Sequence, residues 1–209
     1  MIFILIIIYA ITLLYAATSE RFRSYALIVG LQGWLLMAIA LFQLNESSLF
    51  DQIFVVAETL LFKGLLIPYL LFRIIRKAHI NRISYRAMPP FFSMLLCVAT
   101  LVSSLAITAY VADTRINTIF FGVALFGILM GMILIMSRVK IFSHLVGFLL
   151  IENSVFLFSL AVGAHMPMLI NVGILLDILM GVLMLGVFVT KISESLQSLD
   201  SEELTQLKD

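Results

Sequence analysis

What most constrains this chain is a series of long apolar stretches, each about the length a bilayer demands. A helix crossing the hydrocarbon core needs about 20 predominantly apolar residues, with roughly 17–25 acceptable. Seven stretches meet that length: 1–17, 25–44, 53–75, 91–112, 117–136, 143–163 and 167–190. They take up most of the 209 residues and leave little chain for a separate soluble domain. Charged residues make up 12% of the chain, whereas soluble domains carry about a quarter. With 63% of residues hydrophobic and a mean hydropathy of +1.17, a water-soluble fold of this size has too little interior to hide the apolar surface. The expected class is an all-α integral membrane protein of about seven transmembrane helices, because only helices and closed barrels satisfy every backbone group in lipid.

The first stretch, Met1 to Ala17, ends in small residues as a signal peptide does, but no Lys or Arg precedes Arg21. The positive n-region is missing, so the stretch reads as a retained first span. Orientation follows from the Lys/Arg bias between loops. Arg21 and Arg23 follow span 1, a group from Arg73 to Arg86 follows span 3, Arg138 and Lys140 follow span 5, and Lys191 and Lys208 occupy the tail. These alternate segments hold 11 of the 13 basic residues; Arg115 lies in the opposite set and Lys63 inside a span. The alternation predicts an odd number of spans with the N-terminus outside and the C-terminus in the cytoplasm. The tail, 191–209, carries Ile192, Leu196 and Leu199 at helical spacing. It reads equally as an amphipathic helix on the membrane or on a partner, or as a solvated tail.

Several function classes drop out. A net charge of +1 argues neither for nucleic acid nor for an acidic partner. Cys97 is the sole cysteine, so there is no internal disulfide and no thiol set for an iron–sulfur cluster or structural zinc. It reads as a small buried apolar residue. His79, His144 and His165 lack metal-ligand spacing, and no Gly-rich phosphate loop or nucleophile elbow is present. No catalytic or metal-binding residue is expected.

The informative residues are the ionisable groups inside spans: Glu58, Lys63, Glu152 and Asp177. Each costs about 2.5–3.5 kcal/mol near the bilayer centre on insertion scales, so such groups face the bundle interior, pair, and often mark ion or proton paths. Lys63 and Glu152 fall near mid-span, whereas Glu58 is close enough to a span end to reach headgroups. Glu58 and Lys63 are five residues apart, about 140° around a helix, so Lys63 is expected to seek a partner on another helix, with Glu152 and Asp177 as candidates. Burial raises a carboxyl pKa and a neighbouring ammonium lowers it. A Glu–Lys–Asp set across three helices is thus suited either to a proton relay or to charge-neutral packing. Pro68 removes the helical hydrogen bond to the Gly64 carbonyl and should kink span 3 beside Lys63. Gly127 and Gly131 form a GxxxG pair, and Gly173 and Gly181 flank Asp177 by four residues each way. Both patterns predict close helix packing. Asn153 and Asn171 are expected interhelical hydrogen bonders.

The stretch GFLLIENSVFLFSL at 147–160, followed by NVGILLDILMGVLML at 171–185, resembles the hydrogenase-4 component E (HyfE) family. That family is in turn similar to the NuoK subunit of complex I and the MrpC subunit of Na⁺/H⁺ antiporters. KGLLIP at 63–68 and the LDSEELTQLKD ending at 199–209 resemble HyfE specifically. The resemblance is strongest from Arg138 onward, and the first two spans are generic. It implies a four-helix membrane extension over 1–112, a NuoK-like three-helix unit over 113–190 and a cytoplasmic tail over 191–209. Glu152 would match the glutamate of the family's glutamate–asparagine motif. Asp177 would match the carboxylate of the next helix, where NuoK commonly has glutamate. Lys63 would match a lysine of the HyfE pattern. The resemblance also implies membership of a group 4 NiFe-hydrogenase-like membrane complex in a bacterial or archaeal cytoplasmic membrane. Antiporter-like subunits and peripheral iron–sulfur subunits would be its partners. The Fe–S clusters and any NiFe centre would belong to those partners, with no cofactor on this chain.

Overall fold

The computed structural model describes residues 2–19, 21–43, 56–57, 59–77, 89–111, 116–139, 141–162, Gly173 and Gly181. These residues are almost entirely helical. Helix α1 spans Ile2–Thr18 and α2 spans Phe22–Gln43; a widened π-helical segment, Thr59–Leu66, runs directly into α3, Ile67–Lys77. Helices α4, Pro90–Tyr110, α5, Thr118–Ser137, and α6, Ile141–Val162, follow. Four helices among the described residues are long and apolar enough to cross a membrane: α2, α4, α5 and α6. Helix α1 is a shorter apolar helix. The expected seventh span apart from Gly173 and Gly181, Asp177 within it, Glu58 and the tail lie outside the described residues.

Helix ends have local causes. Two prolines open α4, Pro89 just outside and Pro90 as its first residue, where a missing N–H costs nothing because the first-turn donors lack helical acceptors. Asn117 caps α5 by accepting from the Phe120 N–H, and its own N–H donates to the Ala161 carbonyl at 3.1 Å, tying the start of α5 to the end of α6.

The distribution of side chains is that of a protein whose solvent is lipid. Phe91, Leu105, Leu27 and Trp34 stand at the surface. Lys63, Glu152, Gln32, Asn153 and Ser154 are buried. Around them pack the apolar side chains of one core, among them Leu13, Leu36, Leu71, Met130 and Phe156.

Glycines set the helix spacing. A Cβ on Gly131 would lie 2.7 Å from the Gly147 carbonyl oxygen, and one on Gly147 would lie 2.9 Å from the Gly131 oxygen. Helices α5 and α6 therefore meet backbone to backbone. One turn earlier, Gly127 meets the Ser154 hydroxyl and Leu13 of α1. Gly122 likewise admits Thr108 of α4.

Candidate functional site

The middles of α1, α2 and α6 carry polar side chains that hydrogen bonds join to one another. Glu152 is the central residue of the 22-residue α6, about 33 Å long at 1.5 Å per residue. Gln32 holds the same place in α2, and Tyr9 and Thr12 bracket the middle of α1. Lys63 lies in the π segment that packs on α2.

The two sequence-predicted charges that can be placed are brought together. Lys63 Nζ lies 3.8 Å from Glu152 Oε1, with the two side chains 1% and 2% exposed. Such burial denies both groups bulk water, so their charges are compensated by protein groups, each other among them. Lys63 Nζ also lies 4.7 Å from the centroid of Phe156, one turn beyond Glu152, so α6 meets the ammonium with a carboxylate and an aromatic face. A separation of 3.8 Å exceeds the roughly 2.7–2.9 Å of a direct charge-assisted hydrogen bond. Glu58 and Asp177 lie outside the described residues.

Pro68 is the second residue of α3, directly after the π segment. In π-helical register its nitrogen would face the Lys63 carbonyl and in α-helical register the Gly64 carbonyl, and it can donate to neither. The Lys63 carbonyl instead abuts α2: a Cβ built on Gly33 would fall 2.6 Å from that oxygen. The Pro68 ring lies against Gly30, where a Cβ would stand 3.0 Å from Cγ. Gly30 and Gly33 thus form the floor on which the proline and the lysine backbone rest.

A chain of hydrogen bonds begins at Asn153, the residue after Glu152. Asn153 Nδ2 donates to Gln32 Oε1 at 3.2 Å, and Gln32 Nε2 donates to Thr12 Oγ1 at 3.0 Å. Thr12 Oγ1 donates to the Tyr9 carbonyl at 2.6 Å. The Tyr9 and Ser154 hydroxyl oxygens are 3.2 Å apart, and Ser154 donates to the Leu150 carbonyl at 2.7 Å. Sequence reasoning singled out Asn153 and passed over Tyr9, Thr12, Gln32 and Ser154. Their only sequence signal is polarity within an apolar span, clearest for Gln32.

Among the described residues no group of three or more His, Cys, Asp or Glu side chains is placed to hold a metal. Cys97 is buried. Gly127 and Gly131 lie between α5 and α6; a Cβ built on Gly173 would stand 4.0 Å from the Ser159 hydroxyl, and one on Gly181 would meet none of the described residues within 4 Å. Comparison of the chain with family models, curated proteins and solved structures returns no match.

Proposed function

We propose that this chain is a membrane-arm subunit of a group 4 NiFe-hydrogenase-like complex, in which the Lys63–Glu152 pair takes part in proton or sodium translocation coupled to electron transfer. The resemblance of 147–160, 171–185 and 63–68 to the HyfE pattern supplies the complex. The observation that carries the ion-handling role is the wide, buried Lys63–Glu152 pair at mid-bundle, beside a π-helical segment of a kind frequent at functional sites. In this reading the chain has seven spans, N-out and C-in, in the cytoplasmic membrane of a bacterium or archaeon. Asp177 and Glu58 extend the charged path, and the redox centres sit on iron–sulfur and hydrogenase-like partner subunits.

A second reading has an observation of its own. The hydrogen bonds joining Asn153, Gln32 and Thr12 lock α1, α2 and α6 together, which suits a subunit whose polar core only fixes packing.

Glu152→Gln separates the two. It preserves shape and removes the titratable charge. The ion-handling reading expects a complex that assembles and purifies normally from mild detergent, with antiporter-like and iron–sulfur subunits, but whose coupled proton or sodium movement falls by at least tenfold. Normal pumping by an assembled Glu152→Gln complex, or failure of assembly alone, favours the packing reading. A chain that purifies without such subunits overturns the assignment to a redox complex and favours a stand-alone small transporter.

A further inference from the structure

By its place after span 5 Arg138 reads as a loop cation, yet it is only 3% exposed. It follows the last residue of α5, with an extended backbone at φ −120° and ψ 143°. Helix α5 has 20 residues and thus a length of about 30 Å, matching a hydrocarbon core. A core of that thickness would put Ser137 at its boundary and Arg138 at headgroup depth. The guanidinium is held from one side: Nη2 donates to the Ser19 carbonyl at 3.1 Å, an oxygen to which Tyr25 Oη also donates at 3.3 Å. Arg138 Nε and Nη1 have no hydrogen-bond partner among the described residues. Neither do the buried hydroxyls of Ser19 and Ser143.

Two helix N-termini converge on this place. Ser19 lies in the short connection into α2, and Ser143 lies in the first turn of α6. The Phe22 ring from the start of α2 packs edge-on against Phe142 from the start of α6, 4.8 Å between centroids. His144 Nε2 lies 2.6 Å from the Arg138 carbonyl oxygen and pins the turn into α6. Helix N-termini present free N–H groups and positive dipole ends that favour anions. A buried cation with spare donors, two spare hydroxyls and two such helix starts supply donors to an anion.

We infer that Arg138, Ser19 and Ser143, with the first turns of α2 and α6, form a binding site for a phosphate group. Guanidinium donors match phosphate oxygens, and a basic pocket between helices at headgroup depth is suited to a lipid phosphate. The neighbouring surface fits acyl chains: Met132, Met136 and Val139 are exposed along the end of α5. A phospholipid headgroup and a free phosphate share this chemistry. The site is separate from the Lys63–Glu152 pair, and its test does not depend on the function proposed above.

The test uses the full chain purified in mild detergent and exhaustively delipidated. Its Tm is measured against inorganic phosphate, short-chain phosphatidylglycerol and short-chain phosphatidylcholine, with sodium chloride as the ionic-strength control. At about 100 times Kd the ligand should raise Tm by roughly 5–10 °C in a saturable way. A rise with inorganic phosphate identifies free phosphate as sufficient; a rise with the phospholipids alone identifies the lipid headgroup. Arg138→Lys keeps the charge but loses the planar fork, and Ser143→Ala removes one donor while leaving Arg138 in place. Each should weaken the apparent Kd, by about tenfold and about threefold. The inference fails if no phosphate-bearing probe shifts Tm beyond the chloride control, or if both variants bind as tightly as the parent. Either result means that water or a carboxylate of the chain itself satisfies the arginine.

Discussion

At the scale of single residues, Lys63 and Glu152 are coupled by burial. Removing one member of a buried ion pair leaves the other charge stranded and typically costs about 3–5 kcal/mol, whereas replacing both by apolar side chains of similar volume is often neutral or stabilising. Lys63→Met should therefore destabilise the chain by about that amount in a detergent unfolding assay, and Lys63→Met combined with Glu152→Leu should recover most of the loss. A double variant no more stable than the single one would mean that Glu152 draws its compensation from elsewhere. Stability recovered in that double variant but coupled ion movement still lost would mark the pair as retained for function. Gln32 makes a second residue-scale case. It links Asn153 to Thr12, so Gln32→Leu should cost about 1–3 kcal/mol by leaving two buried partners without it, read as a lowered Tm. The site was half legible at this scale: a lysine and a glutamate within apolar runs announce themselves, whereas a tyrosine, a threonine and a serine in such runs do not, since each hydroxyl can also bond its own helix backbone.

At the scale of elements, the π segment and α2 form one unit. Pro68 withholds a donor, the helix widens over Thr59–Leu66, and the Lys63 carbonyl comes to rest against Gly33. Gly33→Ala would place a methyl 2.6 Å from that oxygen, where backbone cannot yield as a flexible side chain does. Overpacking of this kind costs about 1–3 kcal/mol, and here it would also displace Lys63 from Glu152. The expected result is a lower Tm together with impaired coupled ion movement, while Gly64→Ala is tolerated, because a Cβ at Gly64 finds its neighbours at ordinary contact distance, 3.6 Å or more. If both alanine variants behave alike, the close approach of α2 to the π segment is not what positions the lysine. Sequence anticipated an irregularity at Pro68 but not its form. A kink and a π-helical widening both relieve a missing donor, and the choice depends on what the neighbouring helix offers the freed carbonyl.

At the scale of the whole molecule, the described bundle has an apolar exterior and a polar middle layer, the arrangement lipid solvent requires. The ends of the bundle also sort. The connections α1–α2 and α5–α6 lie together, joined by the Arg138–Ser19 hydrogen bond, and both belong to the basic set that the charge bias assigns to the cytoplasm. Thiol labelling tests that assignment. In a Cys97→Ala background, Arg23→Cys and Ser201→Cys should resist a membrane-impermeant maleimide added to intact cells, and Ser47→Cys should react. Labelling of Arg23→Cys from outside would invert the topology, and opposite answers from Arg23→Cys and Ser201→Cys would contradict the odd span count.

Apolar run length was enough to establish, without any tertiary information, that this is a helical chain built to live in a bilayer, and where most of its helices run. The expected spans 1–17, 25–44, 91–112, 117–136 and 143–163 each match a described helix to within a few residues, because length and polarity in a membrane are set by the thickness of the hydrocarbon core and not by neighbours. Only the tertiary structure decided which polar groups meet. It brought Lys63 to Glu152 across 89 positions of chain, joined Gln32 to Asn153 across 121, and buried Arg138 within the connection that follows α5. Those pairings follow from how glycine-lined helix faces stack, and the contacts a helix makes are a property of two surfaces, not of either one alone.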